Sequence, residues 1–165
     1  MLNMIFVILG TQDKKFPRLL EAIQKKIDEG KIDEKEEIIV QAGSTKFESK
    51  NMKIIDYMSV KDFEDLIDKA DIIICHAGVG TILTALKKGK KIIAAARLKQ
   101  YGEHVNDHQL QILDNFAKKR YILALEDFNK LDELLEQAKS FTPAVFKSNK
   151  KFFLSQLEKE INILG

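Results

Sequence analysis

Residues 72–81 read Ile72-Ile73-Ile74-Cys75-His76-Ala77-Gly78-Val79-Gly80-Thr81, an apolar run that ends in a histidine and two glycines. A helical pattern, Ile82-Leu83-Thr84-Ala85-Leu86-Lys87-Lys88-Gly89, follows at once. A strand that passes through a glycine turn directly into a helix aims free backbone N–H groups, and the positive end of the helix dipole, at one point. That arrangement binds phosphate or another anion. His76, beside the turn, can add one more hydrogen bond to a phosphate oxygen.

Outward from this unit, apolar runs bounded by turn residues alternate with helical periodicities. The pattern predicts strands over 4–9, 38–42, 53–55, 71–75, 91–95 and 121–124. It predicts helices over 17–28, 60–69, 81–88, 105–118, 129–139 and 148–163. Continuous apolar strands separated by helices imply a parallel sheet covered on both faces. The expected fold is therefore α/β, a doubly wound Rossmann-like parallel sheet forming one domain over 1–165. Ligands of such sheets bind outside the carboxyl ends of the strands. The loops expected there are Gly10-Thr11-Gln12-Asp13, Gly43-Ser44-Thr45, Asp56-Tyr57-Met58-Ser59, the 75–81 turn and the stretch 97–109. All are rich in glycine, hydroxyls or polar side chains, as a shared cleft requires.

Bulk properties narrow the classes. With 165 residues, 45% hydrophobic and 32% charged, the chain has the makeup of an ordinary globular domain able to bury a core. A net charge of +2 leaves no electrostatic footprint for nucleic acid, and none is expected as a partner. Short basic runs at 87–88, 90–91, 118–120 and 150–151 read as solvated helix ends, although together they suit an anionic membrane surface. A single cysteine, Cys75, forms no internal disulfide and fits a reducing cytoplasm. The apolar start, Met1 to Leu9, closes at Gly10-Thr11-Gln12-Asp13, far short of a membrane span. Attachment to the inner face of a membrane is expected only through a partner.

Other motifs exclude more than they support. Gly78-Val79-Gly80-Thr81-Ile82-Leu83 begins like a dinucleotide fingerprint, but Leu83 stands at the third glycine. The next predicted strand ends in Ala94-Ala95-Ala96 rather than an acid, so a nicotinamide cofactor is not expected, and no other cofactor is assigned. No Gly-x-x-x-x-Gly-Lys-Ser/Thr loop occurs. Cys75 and His76 are neighbours in a strand, point to opposite faces and cannot form a nucleophile–base pair. His104 and His108 have the spacing of a metal pair, but no third ligand suggests itself and no metal is assigned. Tyr101, Glu103, His104, Asn106, Asp107, His108 and Gln109 make a polar cluster suited to sugar hydroxyls, with a solvated loop as the alternative. In the absence of Asp-x-Asp, a departing diphosphate would be stabilised by the helix N-terminus rather than by a divalent ion.

On His76-Ala77-Gly78-Val79-Gly80-Thr81 and Asn106-Asp107-His108-Gln109, the chain resembles the donor-binding half of family 28 glycosyltransferases, enzymes of the two-domain GT-B fold. It looks most like separately encoded single-domain members. These are the catalytic subunit of the two-part dolichol-linked N-acetylglucosaminyltransferase, and bacterial capsule and exopolysaccharide subunits of the PssE or EpsF type. Arg97…Tyr101-Gly102-Glu103-His104-Val105-Asn106-Asp107-His108-Gln109 looks most like the bacterial branch. The resemblance implies that His76, Gly78, Gly80 and Thr81 contact a diphosphate and that Tyr57 and Met58 lie beside uracil. It puts Asp107, His108 and Gln109 at the ribose or donor sugar. The other strand-end loops add Gly10, Thr11, Gly43, Ser44 and Val79 to the nucleotide side and Arg97, Glu103 and Asn106 to the sugar side. Two positions depart from related motifs, which often carry an acid where this chain has Thr84 and an Asp where it has His108.

The resemblance further implies a UDP-sugar donor and a metal-independent inverting transfer. A β-linkage, with β-1,4 expected, would form on a lipid-linked acceptor during bacterial capsular or exopolysaccharide synthesis. One α/β domain leaves the acceptor site and catalytic base to a partner, a membrane-anchored subunit similar to PssD, in a heterodimer. Within this chain catalytic residues are unassigned except His76, as a stabiliser of the leaving group. The segment over 146–164 is the expected docking helix, with Phe153, Leu157 and Ile161 on one stripe. Two other readings stay open: a non-catalytic subunit that enhances or stabilises a membrane glycosyltransferase, and a relative of sugar-nucleotide epimerases.

Overall fold

Met4–Ile8 (β1) and Ile72–His76 (β4) are buried at every residue and lie side by side in parallel, Ile5 opposite Ile72 and Ile8 opposite Cys75. A computed structural model describes residues 4–146 of the chain. The helix expected over 148–163, and the docking segment beyond Phe146, lie outside the described residues. Four further strands, β2 (Glu37–Gln41), β3 (Met52–Ile55), β5 (Lys91–Ala95) and β6 (Leu123–Ala124), complete a six-stranded sheet in the order β3-β2-β1-β4-β5-β6. All neighbouring strands run parallel.

Side chains of a strand alternate between faces, and both faces here are apolar. Ile5, Val7, Leu9, Ile72 and Ile74 pack on one side beneath α1 (Pro17–Asp28) and α5 (Leu131–Ser140). Met4, Phe6, Ile8, Ile73 and Cys75 pack on the other beneath α2 (Val60–Lys69), α3 (Val79–Lys87) and α4 (His108–Lys118). Each such side chain, fully buried, stabilises the fold by roughly 1.5–3 kcal/mol. Two-sided burial explains why β1 and β4 read as unbroken apolar runs rather than alternating ones.

Local sequence sets the helix limits. Pro17 occupies the first helical position of α1, where its missing N–H costs nothing, and Leu19, Leu20, Ile23 and Ile27 form the buried stripe. Gly30, at φ +74°, ends that helix and donates to the Ile27 carbonyl at 3.0 Å. Ser59 caps α2, its Oγ accepting from the Asp62 N–H at 3.1 Å.

Among the boundaries that differ from the sequence expectation, three have a local cause in view. Helix α3 starts at Val79 rather than residue 81, because Gly78 serves as its N-cap. Helix α4 starts at His108 rather than 105. Asn106 Oδ1 accepts the His108 N–H at 2.9 Å and Asp107 Oδ1 accepts the Lys99 N–H at 2.8 Å, which hold the preceding stretch as a loop. Strand β6 shrinks to two residues, since the Tyr121 N–H turns back to the Phe116 carbonyl at 3.1 Å.

The chain builds outward from β1 to β3, then returns to place β4 on the other side of β1. Connections leave β1 and β4 toward opposite faces, which opens a crevice at their carboxyl ends. Among the described residues no helix is long and apolar enough to cross a membrane.

Candidate functional site

Two adjoining cavities fill that crevice and share Gly10, Thr11, Gly80 and Thr81. The inner one, about 160 Å³, is polar: Gln12 from the β1 loop and His76 and Gly78 from the β4 turn face Arg97, His104, His108 and Gln109. The outer one, about 400 Å³, is bounded by Met58, Val60 and Phe63 with Ile8 and Thr84. A polar pocket for charge and hydroxyls thus opens into an apolar slot able to take a planar ring.

Helix α3 points its N-terminus into the shared wall. Gly78, as N-cap, has no side chain to accept from the first turn, and no side-chain cap is made. The first N–H groups of the helix are therefore without an intrahelical or side-chain acceptor. An anion there gains roughly 0.3–1 kcal/mol from the dipole, and up to ~2 when partly buried.

His76 is held in place by glycines and by Arg97. A Cβ on Gly10 would lie 2.9 Å from His76 Nε2, and one on Gly78 would lie 2.3 Å from its Cε1, so both residues must lack a side chain for the ring to fit. Gly43, in turn, comes so close to Gly10 that a Cβ would lie 2.4 Å from the Gly10 carbonyl oxygen. On the ring's other side, Arg97 Nη1 lies 2.9 Å from Nδ1, and Gln109 Nε2 lies 3.5 Å from the same atom. Thr81 Oγ1 is 3.4 Å from Nε2. Arg97 is buried, donates through Nη2 to the carbonyls of Leu9 and Lys14, and lies over the Phe16 ring.

These surroundings set the charges. Burial, then the Arg97 charge, then His104 push the His76 imidazolium down to about 3, so the ring is neutral at neutral pH. Burial, then Lys14 and Arg97, push His104 down to about 4. Burial lowers Arg97 to about 10, which leaves it cationic. The inner pocket therefore presents one buried guanidinium, the neutral rings of His76 and His104 and a helix N-terminus, with no carboxylate in its lining. That environment favours an anion.

Of the residues expected from sequence, Gly10, Thr11, Met58, His76, Gly78, Gly80, Thr81, Arg97, His108 and Gln109 line the cleft. The others stand elsewhere. Val79 is buried in the core between α3 and the sheet. Gly43 packs on Gly10, and Ser44 lies 3.5 Å from the Gln12 carbonyl, outside the lining. Tyr57 is exposed and lines neither cavity. Glu103 is turned inward, gripping Arg18 at 2.9 and 3.0 Å and accepting the Leu98 N–H at 3.0 Å. Asn106 and Asp107 use their side chains on loop amides.

Several contributors escaped the sequence reading. Val60, Phe63 and Ile112 look like ordinary core positions of their helices. Gln41 had a visible signal, a polar residue closing the apolar strand Ile38-Ile39-Val40. Its buried amide takes the Gly10 N–H at 3.1 Å and donates to the carbonyls of Gly10 and Asp56 at 3.0 and 3.1 Å. Buried amides need such partners, and here they tie the β1 and β3 loops together.

Known proteins share this architecture. The chain is 29% identical over 115 residues to the UDP-N-acetylglucosamine transferase subunit ALG13 of Cryptococcus neoformans, covering 69% of this chain. It spans about half of that relative's length, 54%. The solution structure of ALG13 superposes with a TM-score of 0.58 at 20% identity, over 97% of both chains. MurG of Acinetobacter baumannii superposes at 0.58 and 19% identity, over 83% of this chain and 42% of that one. These likenesses show the fold, the Rossmann-like α/β unit of GT-B glycosyltransferases. The model of the glycosyltransferase family 28 C-terminal domain matches residues 4–162, nearly the whole sequence, and the chain belongs to that family.

Proposed function

We propose that this chain is the donor-binding subunit of a two-component inverting glycosyltransferase, with a UDP-sugar in the cleft. One observation carries the reading: the uncapped N-terminus of α3, flanked by His76 and Arg97, at the switch point of the sheet. The diphosphate rests on that terminus, the uracil enters the slot of Met58, Val60 and Phe63, and the sugar faces His108 and Gln109. A micromolar site requires about −8 kcal/mol, several times what a helix terminus supplies. The apolar slot and the sugar contacts must provide the rest.

In the transfer, negative charge grows on the β-phosphate as the sugar–oxygen bond breaks. The helix N-terminus and His76 meet that charge without a divalent ion. The acceptor hydroxyl must lose a proton to a base, which this reading assigns to a membrane-anchored partner at the inner membrane face that also binds a lipid-linked saccharide. A β-linkage, with β-1,4 expected, and a role in exopolysaccharide or capsule synthesis belong to the same proposal. Support for the two-part arrangement comes from the relative named as a transferase subunit.

Isothermal titration tests the core of the reading. UDP should bind, uridine should bind far more weakly, and His76→Ala should reduce UDP affinity about tenfold or more. No UDP binding, or binding indifferent to His76→Ala, overturns it. Co-expression with the membrane partner and a transfer assay across UDP-sugars tests the rest.

A further inference from the structure

Arg97 carries a buried positive charge whose role the proposed donor site leaves open. The residue is 2% exposed, and its two terminal nitrogens hold different partners. Nη2 holds the Leu9 and Lys14 carbonyls, while Nη1 reaches His76 Nδ1 at 2.9 Å. A guanidinium only donates, so Nδ1 must present its lone pair. Gln109 acts in the same sense. Its Oε1 accepts the Arg97 backbone N–H at 2.9 Å, which leaves its amide nitrogen toward Nδ1 at 3.5 Å.

A neutral imidazole that accepts at Nδ1 carries its proton on Nε2. That nitrogen lies beside Gly10 and 3.4 Å from Thr81 Oγ1, at the wall both cavities share. We propose that Arg97 is a positioning residue that locks His76 in the Nε2–H tautomer, so His76 meets the donor only as a neutral hydrogen-bond donor. A histidine at such a turn invites assignment as a general base. Here it has no lone pair facing the cleft, because Nε2 holds the proton and Nδ1 is occupied by Arg97. The proton lost by the acceptor goes elsewhere, and His76 serves the leaving group alone. The competing view is that Arg97 merely clamps the Leu9 and Lys14 carbonyls and touches His76 incidentally.

The consequence for transfer rests on the UDP-sugar reading, but the tautomer is a property of the free protein and is tested without ligand. The measurement is long-range proton–nitrogen NMR of the ¹⁵N-labelled full chain at pH 7, with His76→Gln assigning the signal among the three histidines. The expected spectrum shows His76 protonated at Nε2 only. Protonation at Nδ1, a mixture, or an imidazolium overturns the proposal. In Arg97→Met the ring should become a tautomer mixture and UDP affinity should fall about tenfold, with no further loss on adding His76→Ala. Additive losses leave Arg97 a simple clamp and overturn the proposal. If Arg97→Met fails to fold, Gln109→Leu decides. It should keep the Nε2–H form because Arg97 remains, and a lost tautomer would refute the assignment to Arg97. Failure of UDP to bind, with the tautomer as expected, removes the donor-site reading and leaves this one standing.

Discussion

A Cβ on Gly78 would sit 2.3 Å from Cε1 and 2.9 Å from Nε2 of His76, nearer than carbon atoms can approach. Gly78 has φ −88° and ψ 131°, ordinary extended backbone, so its glycine serves the ring and not the turn. Gly78→Ala should displace His76, weaken UDP binding about tenfold, and cost roughly 1–3 kcal/mol of overpacking. Gly80, two residues on, lies inside α3, and a Cβ added there would meet nothing within 4 Å. Gly80→Ala should therefore raise stability by about 0.4–1 kcal/mol while still weakening UDP, since its methyl enters the cleft wall. Thermal melts and titrations of both variants check this pair. Equal melting behaviour would contradict the packing described for His76.

The histidines make stability fall on the acid side. His76 sits near 3 when folded and near 6.5 when unfolded. Above pH 6.5 neither state binds this proton and no penalty exists. Below it the unfolded chain takes up a proton that the native ring refuses, so stability drops by up to ~1.4 kcal/mol per pH unit down to about pH 3. His104, pushed down to about 4, acts in the same direction. Urea midpoints from pH 7.5 to 5 should fall more steeply for the native sequence than for His76→Gln. Parallel curves would rule His76 out as the cause.

Glu103 should prove structural. Its buried carboxylate holds Arg18, whose guanidinium also lies 4.3 Å from the Tyr101 ring centre and 4.0 Å from that of Phe128. Glu103→Gln weakens the ion pair and should cost about 1.5–3 kcal/mol in denaturant unfolding. UDP affinity in the folded variant should stay within a few-fold. A large loss of affinity at unchanged stability would return Glu103 to the sugar site.

Cys75 should be inert in the native protein. It is fully buried between the sheet and its helices, and burial pushes the thiol up to about 12. Only the thiolate reacts. A disulfide reagent should leave it untouched in buffer and label it within seconds in denaturant. Rapid labelling of the native chain would contradict its placement.

Much of the fold was legible because a parallel sheet covered on both faces forces contiguous apolar strands, and β1 and β4 announce themselves as such. The turn that lines the cleft was legible for a related reason: His76, Gly78, Gly80 and Thr81 lie on one continuous strand–turn–helix unit, so spacing alone places them together. What spacing could not reveal were roles fixed by distant partners. Glu103 looked like a sugar ligand because nothing nearby marks Arg18, 85 residues earlier, as its partner. Gly43 looked like a phosphate contact, whereas the Gly10 carbonyl dictates it. Asn106 and Asp107 have the chemistry of ligands, and only the loop geometry shows that their oxygens are committed to backbone amides. Helix α4 started late for that same reason.

The strand order has one more implication. Residues 4–69 build β1, β2 and β3, residues 71–146 build β4, β5 and β6, and these two chain halves meet along the β1–β4 register and the 3.0 Å bond from the Met4 N–H to Asp71. The cleft lies at the end of that seam, with Gly10 and Thr11 from one half and Gly80 and Thr81 from the other. A ligand seated there touches both halves at once. It would act as a rivet across the join between them, so that occupancy and the cohesion of the two halves rise together.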